Sequence, residues 1–476
     1  MRPSNLQPIG KQSGYCAPHV DARANRGTAW LCQAARDCIL QLGRNARGRY
    51  SACIKKNDMK IHDLITTTEA LEDLCTRLTK SEFVTVDTEF MRENTYWPEL
   101  CLVQIANEEE AAAIDPMAEG IDLTALLDLM CENQDVLKVF HAGGQDVEII
   151  YNLTGKTPHP IFDTQIAMMA ISQSEQIGYA NMVESWLGIT VDKGARFTDW
   201  GRRPLTDRQI EYAIGDVTYL SDIFPKMLKK LIKTGRGAWL NAEMEKLADP
   251  SNYANDGENA WKRIRQAGRN PQVLGRLKAI AAWRESEAKH KNIPRGRIMR
   301  DETLADVAGH PPKKQSDLAK VRGLSNSWKE NDIGKRLMNV LENTEPLPKD
   351  EMPAKSSRGG APLGKEGALV ADLLKLLLKI RCREIDMASR LLTKSDELEA
   401  LAAGIRKLPI LEGWRYEVFG KEALELVEGR MAFTVKDGKM VMTHLDDMDE
   451  GNELADLCTE IQPGEDEPAA AQPAAE

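Results

Sequence analysis

FVTVDTEFMRE, residues 83–93, reads as an apolar strand that ends on two carboxylates. Side chains alternate along a strand, so Asp87 and Glu89 share one face while Val84 and Val86 take the other. Like charges this close repel unless something positive lies between them. Two readings stand at this point: a solvated strand end, or a pair of ligands for a divalent metal. The strand also sets the fold class, because similar runs follow it. CLVQIAN, AAAIDP and VLKVFHA read as three further strands. Helical spacing then appears in QDVEIIYNLTG, DTQIAMMAIS, YANMVESWLG and LTDRQIEYAIGDVTYLSDIFPKMLKKLI. From 83 to about 232 the pattern predicts an α/β domain that opens with an antiparallel hairpin and carries helices on both faces.

Bulk properties bound the rest. A chain of 476 residues, 42% hydrophobic, suffices for several cored domains. No run of 18 or more apolar residues predicts a membrane span. The nine cysteines are scattered without a CxxC pair, which argues against a zinc ribbon or disulfide framework and for a reducing, cytoplasmic setting. GKT at 155–157 lacks the upstream glycine of a phosphate loop. In GGAPLGKE, Gly359 lies five before Gly364, but Glu366 stands where Ser or Thr would hold magnesium, and no strand precedes it. No nucleotide cofactor is expected. The net charge of −10 has the wrong sign for a simple nucleic-acid binder, yet it is unevenly spread. Residues 262–300 hold twelve Lys or Arg against Glu285 and Glu287, while acids concentrate in the tail.

Residues 1–58 are basic and weakly periodic, and read as a disordered or untranslated extension, with a transit peptide as the rival reading. MKIHDLITTTEALEDLCTRL follows from Met59 with helical spacing through Leu71, Leu74 and Leu78. The first domain is assigned to 59–255. Strand signals vanish after about 255, and a helical domain is assigned to 260–345. A linker follows at 346–366, then a second helical domain at 367–435 and an acidic tail at 444–476. The helical blocks echo one another: IGKRLMNVLE (333–342) resembles FGKEALELVE (419–428).

Two later segments bear on the opening carboxylates. In VFHAGGQDVEII a strand ends near His141, two glycines turn the chain, and Asp146 sits at a helix start, where the helix dipole alone would favour an acid. In PLTDRQIEYAIGDVTYL, Thr206 and Gln209 form a capping box, and Tyr212 and Asp216 share a helix face four residues apart. VDTEFMRE, HAGGQDVEII and YAIGDVTYL, in that order, resemble the three motifs of the ribonuclease D family within the DEDD exonucleases, in the subtype with a tyrosine in its third motif. KGARFTDWGRRPLT also resembles this family, and the helical block after 260 resembles the HRDC domain. The resemblance covers about 59–345 well and 367–430 less clearly. It implies a ribonuclease H-like α/β exonuclease domain, a mixed sheet flanked by helices, followed by one or two all-α HRDC-like domains.

The resemblance also implies chemistry. Asp87, Glu89, Asp146 and Asp216 would hold two divalent ions, Mg²⁺ or Mn²⁺, and Tyr212 would orient the attacking water without ionising. Metal charge between the acids would then relieve the repulsion in the opening stretch. The implied reaction releases nucleoside 5′-monophosphates from RNA with a free 3′ end, tRNA precursors in particular, by a monomeric enzyme. Phe90 and Met91 would contact the terminal base, with an apolar core role as the alternative. Trp200, Arg202 and Arg203 pair an aromatic with cations, as stacking and phosphate contact require, although a Trp packed under Arg reads the same. Tyr96 and Trp97 share that ambiguity. His141 reads as a structural donor and Asp163 as a helix cap. The basic 262–300 run would extend the grip on RNA backbone. Two other readings remain open, a DNA exonuclease with the same acids and a non-catalytic RNA-binding scaffold.

Overall fold

The computed structural model describes residues 59–192, 194–196, 198–254, 257–264, 270–353 and 363–445. The expectations for 1–58, for 354–362 of the 346–366 linker and for the tail beyond 445 fall on residues outside these. The described residues form two compact units. The first runs to Ala167 and adds 178–255 and 288–294; the second takes 168–177, 256–287 and the chain from Arg295 on. The short segments 168–177 and 288–294 are thus exchanged relative to the boundaries read from sequence.

The first unit is built on a six-stranded mixed sheet in the order β1-β4-β3-β2-β5-β6. Its strands are β1 (Lys60–Ile61), β2 (Phe83–Met91), β3 (Glu99–Ala106), β4 (Glu110–Ile114), β5 (Leu137–Phe140) and β6 (Ile161–Asp163). All four strands read from sequence are present. The helices are α1 (Thr68–Leu78), α2 (Thr124–Cys131), α3 (Gly144–Thr154), α4 (Thr164–Ile171, of which residues to Ala167 belong here), α5 (Tyr179–Leu187), α6 (Asp207–Thr234) and α7 (Asn241–Ala248). Helical structure does not begin at Met59. Lys60 and Ile61 pair with Glu110 and Ala111 as an edge strand, and α1 starts only where Thr67 Oγ1 caps the Ala70 N–H at 3.3 Å. His62 and Arg77 close that edge by converging on the Glu110 carboxylate at 2.6 and 2.9 Å.

Alternation along the central strands divides the core in two. Val84, Val86, Val103 and Ile105 pack against Leu71, Leu74, Leu126 and Leu129 of α1 and α2. Leu102 and Ala106 face the other way, against Ala213, Ile214 and Val217 of α6. Two hydroxyls bolt α6 to the sheet: Thr85 Oγ1 donates to the Val217 carbonyl at 2.9 Å, and Ser221 Oγ to the Asn107 carbonyl at 2.8 Å. The capping box read at Thr206 and Gln209 starts this 28-residue helix.

In the second unit, α8 (Pro271–Lys291, of which residues to Glu287 belong here), α9 (Arg295–Ile298), α10 (Asp301–Gly309) and α11 (Asp332–Glu342) form one helical block. A second comprises α12 (Lys365–Glu384), α13 (Ser389–Leu392), α14 (Ser395–Ala402), α15 (Gly413–Arg415) and α16 (Lys421–Val427). The sequence echo has a structural counterpart. A Cβ on Gly334 would run into the Trp328 carbonyl oxygen, and one on Gly420 into the Ile410 carbonyl oxygen. Each glycine lets its helix approach the backbone of the short 3₁₀ segment before it. Strand structure does not vanish after 255. β7 (Met431–Lys436) and β8 (Lys439–His444) form an antiparallel hairpin, turned at Asp437 (φ 53°) and Gly438 (φ 71°), the backbone signature of an Asp-Gly hairpin turn.

The described cysteines, Cys75, Cys101, Cys131 and Cys382, are all free and buried. Burial pushes their thiols up, Cys75 to about 12 and Cys101 and Cys382 to about 11.

Gly334→Ala should destabilise the second unit by about 1–3 kcal/mol, the usual cost of forcing atoms into a packed site. Gly296→Ala, in open space on α9, should be neutral or stabilising by about 0.5–1 kcal/mol. Scanning calorimetry of the two variants checks the pair.

Candidate active site

The acids of β2 meet α6 at the sheet's centre. Ligand oxygens of Asp87, Glu89 and Asp216 all lie within 4.8 Å of one another. Asp87 and Glu89 come together by strand alternation. Asp216 is brought to them by the two hydroxyl bolts, which seat Val217 and Ser221 on the sheet. Tyr212, one helical turn before Asp216, shares its helix face, and its hydroxyl moderates the rise of the Asp216 carboxyl.

Asp146 lies outside this three-acid cluster. It sits in the first turn of α3, and Thr88 Oγ1 donates to its carboxylate in a very short hydrogen bond. Thr88 projects from β2 opposite to its acidic neighbours, so the strand engages carboxylates on both faces. The turn that delivers Asp146 is rigid. Ala142 takes a left-handed φ of 58°, and a Cβ on Gly143 would meet the Phe140 Cβ at 2.5 Å. The Gly143 N–H donates to Asp163 Oδ2 at 2.8 Å, while Asp163 Oδ1 accepts the N–H groups of Gln165 and Ile166 at 2.8 and 3.1 Å. Asp163 therefore caps α4 as expected, and in addition ties down the turn. His141 bonds Thr164 Oγ1 through Nδ1 at 3.0 Å, the structural role read for it.

Electrostatics mark the cluster. Burial, then its acidic neighbours Asp146, Asp216 and Glu89, hold the Asp87 carboxyl well above the carboxylate range. Burial with Asp216 and Asp146 lifts Glu89 to about 8; burial lifts Asp216 to about 7 and Asp146 to about 6. The Arg196 guanidinium opposes the rise at Glu89 and Asp216. Burial and then Asp216 push the Tyr212 hydroxyl further above its ordinary value, so it remains a proton donor at neutral pH. All the donors are carboxylate oxygens, which hard divalent cations prefer, and a cation among them would remove the mutual repulsion. The donor set fits such an ion.

Behind the acids lies an unmet group. Gln104 on β3 is 0% exposed, and neither side-chain polar atom has a hydrogen-bond partner among the described residues. Each unmet buried group of this kind costs about 1–3 kcal/mol. Its position in an apolar run was the available signal, since a polar residue in a buried strand demands an explanation. Tyr179 and Arg196 also went unremarked in the sequence reading. Tyr179 donates from its hydroxyl to the Gly215 carbonyl at 2.8 Å, one residue before Asp216.

The sequence-predicted RNA contacts divide. Phe90 and Met91 are half-buried at the end of β2, and Arg202 is exposed. Trp200 is only 2% exposed and packs under Tyr212, with ring centroids 6.2 Å apart, so it is no stacking platform. Arg203 is also spoken for. It grips Asp115 through Nε and an Nη, both at 2.7 Å, and donates to the carbonyls of Trp200 at 2.7 Å and Cys101 at 2.6 Å. Tyr96 is buried, and Asn292 Oδ1 accepts the Tyr96 and Trp97 N–H groups at 3.1 and 3.3 Å. The basic run is partly structural too. Arg284 is buried and donates to the Met299 carbonyl and Asp301, Arg276 to the Ala308 carbonyl, and Arg295 pairs with Glu285.

Arg203→Ala should lower stability by about 3 kcal/mol, as breaking a buried pair does. Arg202→Ala should leave stability unchanged; thermal melts of the two variants compare them. A second expectation concerns pH. Between the ordinary carboxylate range and the raised values at Asp146, Asp216 and Glu89, about 6, 7 and 8, the folded chain holds protons that the unfolded chain has lost. Stability in chelator should therefore fall as pH rises across that window, and divalent ions should restore it most at the alkaline end. Melting temperatures measured with and without EDTA across the window read this out.

Comparison with known proteins gives the family. The 3'-5' exonuclease family matches residues 63–232, and the HRDC domain family matches 273–341. Ribonuclease D of Sphingobium indicum is 66% identical over 386 residues, 81% of this chain and 99% of its own. Ribonuclease D of Zymomonas mobilis is 60% identical over the same shares. The crystal structure of Escherichia coli RNase D, an exoribonuclease involved in structured RNA processing, aligns with a TM-score of 0.63 at 28% identity, covering 77% of this chain and 99% of that one. The chain belongs to the ribonuclease D family.

Proposed function

We propose that this 3′→5′ exoribonuclease trims the 3′ trailers of tRNA precursors, releasing nucleoside 5′-monophosphates from the free 3′ end. In this reading it works in the cytoplasm as a monomer, without a nucleotide cofactor, and uses two Mg²⁺ or Mn²⁺ ions. Asp87, Glu89, Asp146 and Asp216 are the proposed ligands. The observation that carries the reading is the convergence of Asp87, Glu89 and Asp216 oxygens within 4.8 Å. Divalent ions bound there would supply an activated water and stabilise the leaving oxygen.

The chain's own groups do the rest. Tyr212 keeps its proton and, one helical turn from Asp216, orients the attacking water. Thr88 fixes the Asp146 carboxylate by its hydrogen bond. Phe90 and Met91, next to Glu89, bear on the terminal base, and exposed Arg202 on the backbone phosphates. The HRDC domain at 273–341 adds nucleic-acid affinity. The matching close approaches at Gly334 and Gly420 support a second HRDC-like domain at 367–435.

A paired assay tests the reading. Purified protein meets a 3′-hydroxyl tRNA precursor and a DNA strand of matching sequence, with Mg²⁺ or Mn²⁺ and then with EDTA. Stepwise shortening of RNA should require metal, with DNA much slower. Asp87→Ala should lose about 1,000-fold in rate, or some 4 kcal/mol, and Tyr212→Phe about 100-fold through a misplaced water. Full activity in a folded Asp87→Ala protein rejects the metal reading. Equal digestion of DNA rejects the preference for RNA.

A further inference from the structure

Gln104 stands directly across from Asp87 in the antiparallel register of β2 and β3. Opposite residues of such a pair project to the same face, with Cβ atoms about 4.5–5.5 Å apart. Leu102 and Ala106, its neighbours on that face, pack against Ala213 and Val217 of α6. The amide is thus enclosed in the wall that carries Asp87, under the helix that carries Asp216. Packing does not explain a glutamine here. Its strand neighbours Leu102, Val103, Ile105 and Ala106 are all apolar, and Leu would fill a similar volume with no polar atom to satisfy. Both its Oε1 and its Nε2 lack a hydrogen-bond partner among the described residues. Native interiors seldom keep such a group without a use.

We infer that Gln104 is a positioning residue of the carboxylate centre, whose side-chain N–H holds the Asp87 carboxylate in its ligating orientation when a divalent ion is bound. The inference rests on the metal reading of Asp87. A metal-bound Asp87 is a fixed anion, and a hydrogen bond to an anion is shorter and stronger than one to a neutral acid. A ligand's outer partner of this kind sets its orientation, and removing it typically weakens metal binding.

The test uses the full chain and Mn²⁺ alone. Calorimetric titration gives its affinity, and melting with and without Mn²⁺ gives the metal-induced rise in Tm. Gln104→Leu and Gln104→Met remove the amide in two different shapes, so that one carries the test if the other packs badly. Both should melt without metal at or near the wild-type temperature, because an unmet polar group has been removed rather than a bond. Their Mn²⁺ affinity should fall about 10–100-fold, and the Mn²⁺-induced rise in Tm should shrink. Wild-type Mn²⁺ affinity in both variants overturns the inference, and a lowered metal-free Tm beside it makes Gln104 a packing residue only. Asp87→Asn separates this failure from that of the metal reading. If Asp87→Asn binds Mn²⁺ as the wild type does, or the wild type binds none, the metal reading falls and the inference with it.

Discussion

Mutual repulsion among three carboxylates within 4.8 Å of one another is the constraint that the rest of the exonuclease unit answers. A pair of unit charges at that spacing costs of order 4 kcal/mol at the effective dielectric of a protein surface. A loop bearing such a pair would relax away. Here two of the acids are fixed by the alternation of β2, in the middle of a six-stranded sheet. The third is carried by a helix bolted to the sheet through Thr85 and Ser221. Arg203 fastens the stretch from Trp200 to Asp115 and the Cys101 carbonyl, which seats Trp200 beneath Tyr212. Held together in this way, and without a cation, the acids keep protons that they would lose in water. Binding a cation converts that stored cost into affinity.

The features visible in the sequence were those with a short period. FVTVDTEF, CLVQIAN, AAAIDP and VLKVFHA all became strands, and the Thr206–Gln209 box opened its helix. Spacing set Asp87 beside Glu89 on a strand and Tyr212 beside Asp216 on a helix, and only the resemblance of the three motifs to the exonuclease family joined the two pairs into one cluster. What spacing could not supply depended on distant partners. Lys60 and Ile61 became a strand because β4 offered an edge, not because of their own pattern. The place of Asp146 followed from Thr88, fifty-eight residues away, and the fate of Arg203 from Asp115. Linear spacing carries no information about such pairs. The Asp-Gly turn at 437–438 is a different case, since its signal was local and was passed over.

Charge bookkeeping along the chain was a poorer guide than charge placement. The one-signed run from 262 to 300 suggested a continuous RNA-binding face, yet several of its cations are spent inside the second unit. Arg284 is buried with its guanidinium on a carbonyl and a carboxylate. Such arginines hold helices in place: one Nη of Arg284 makes both of these bonds, which offset part of the cost of burial, while its buried Nε finds no partner among the described residues. The cations left to RNA are those whose partners are solvent, a distinction that only coordinates make.

The buried thiols have a consequence for experiments on the folded chain. A thiol reagent attacks the thiolate, and in Cys75, Cys101 and Cys382 burial keeps that form scarce as well as hidden. Labelling must therefore wait for local opening. Cys75 and Cys131 lie in the layer of α1 and α2, Cys101 on the opposite face of the sheet beside α6, and Cys382 in α12. One reagent, followed by mass spectrometry at each site, thus times the breathing of both faces of the catalytic sheet and of the second helical block separately. The protein carries its own set of clocks, with no probe added.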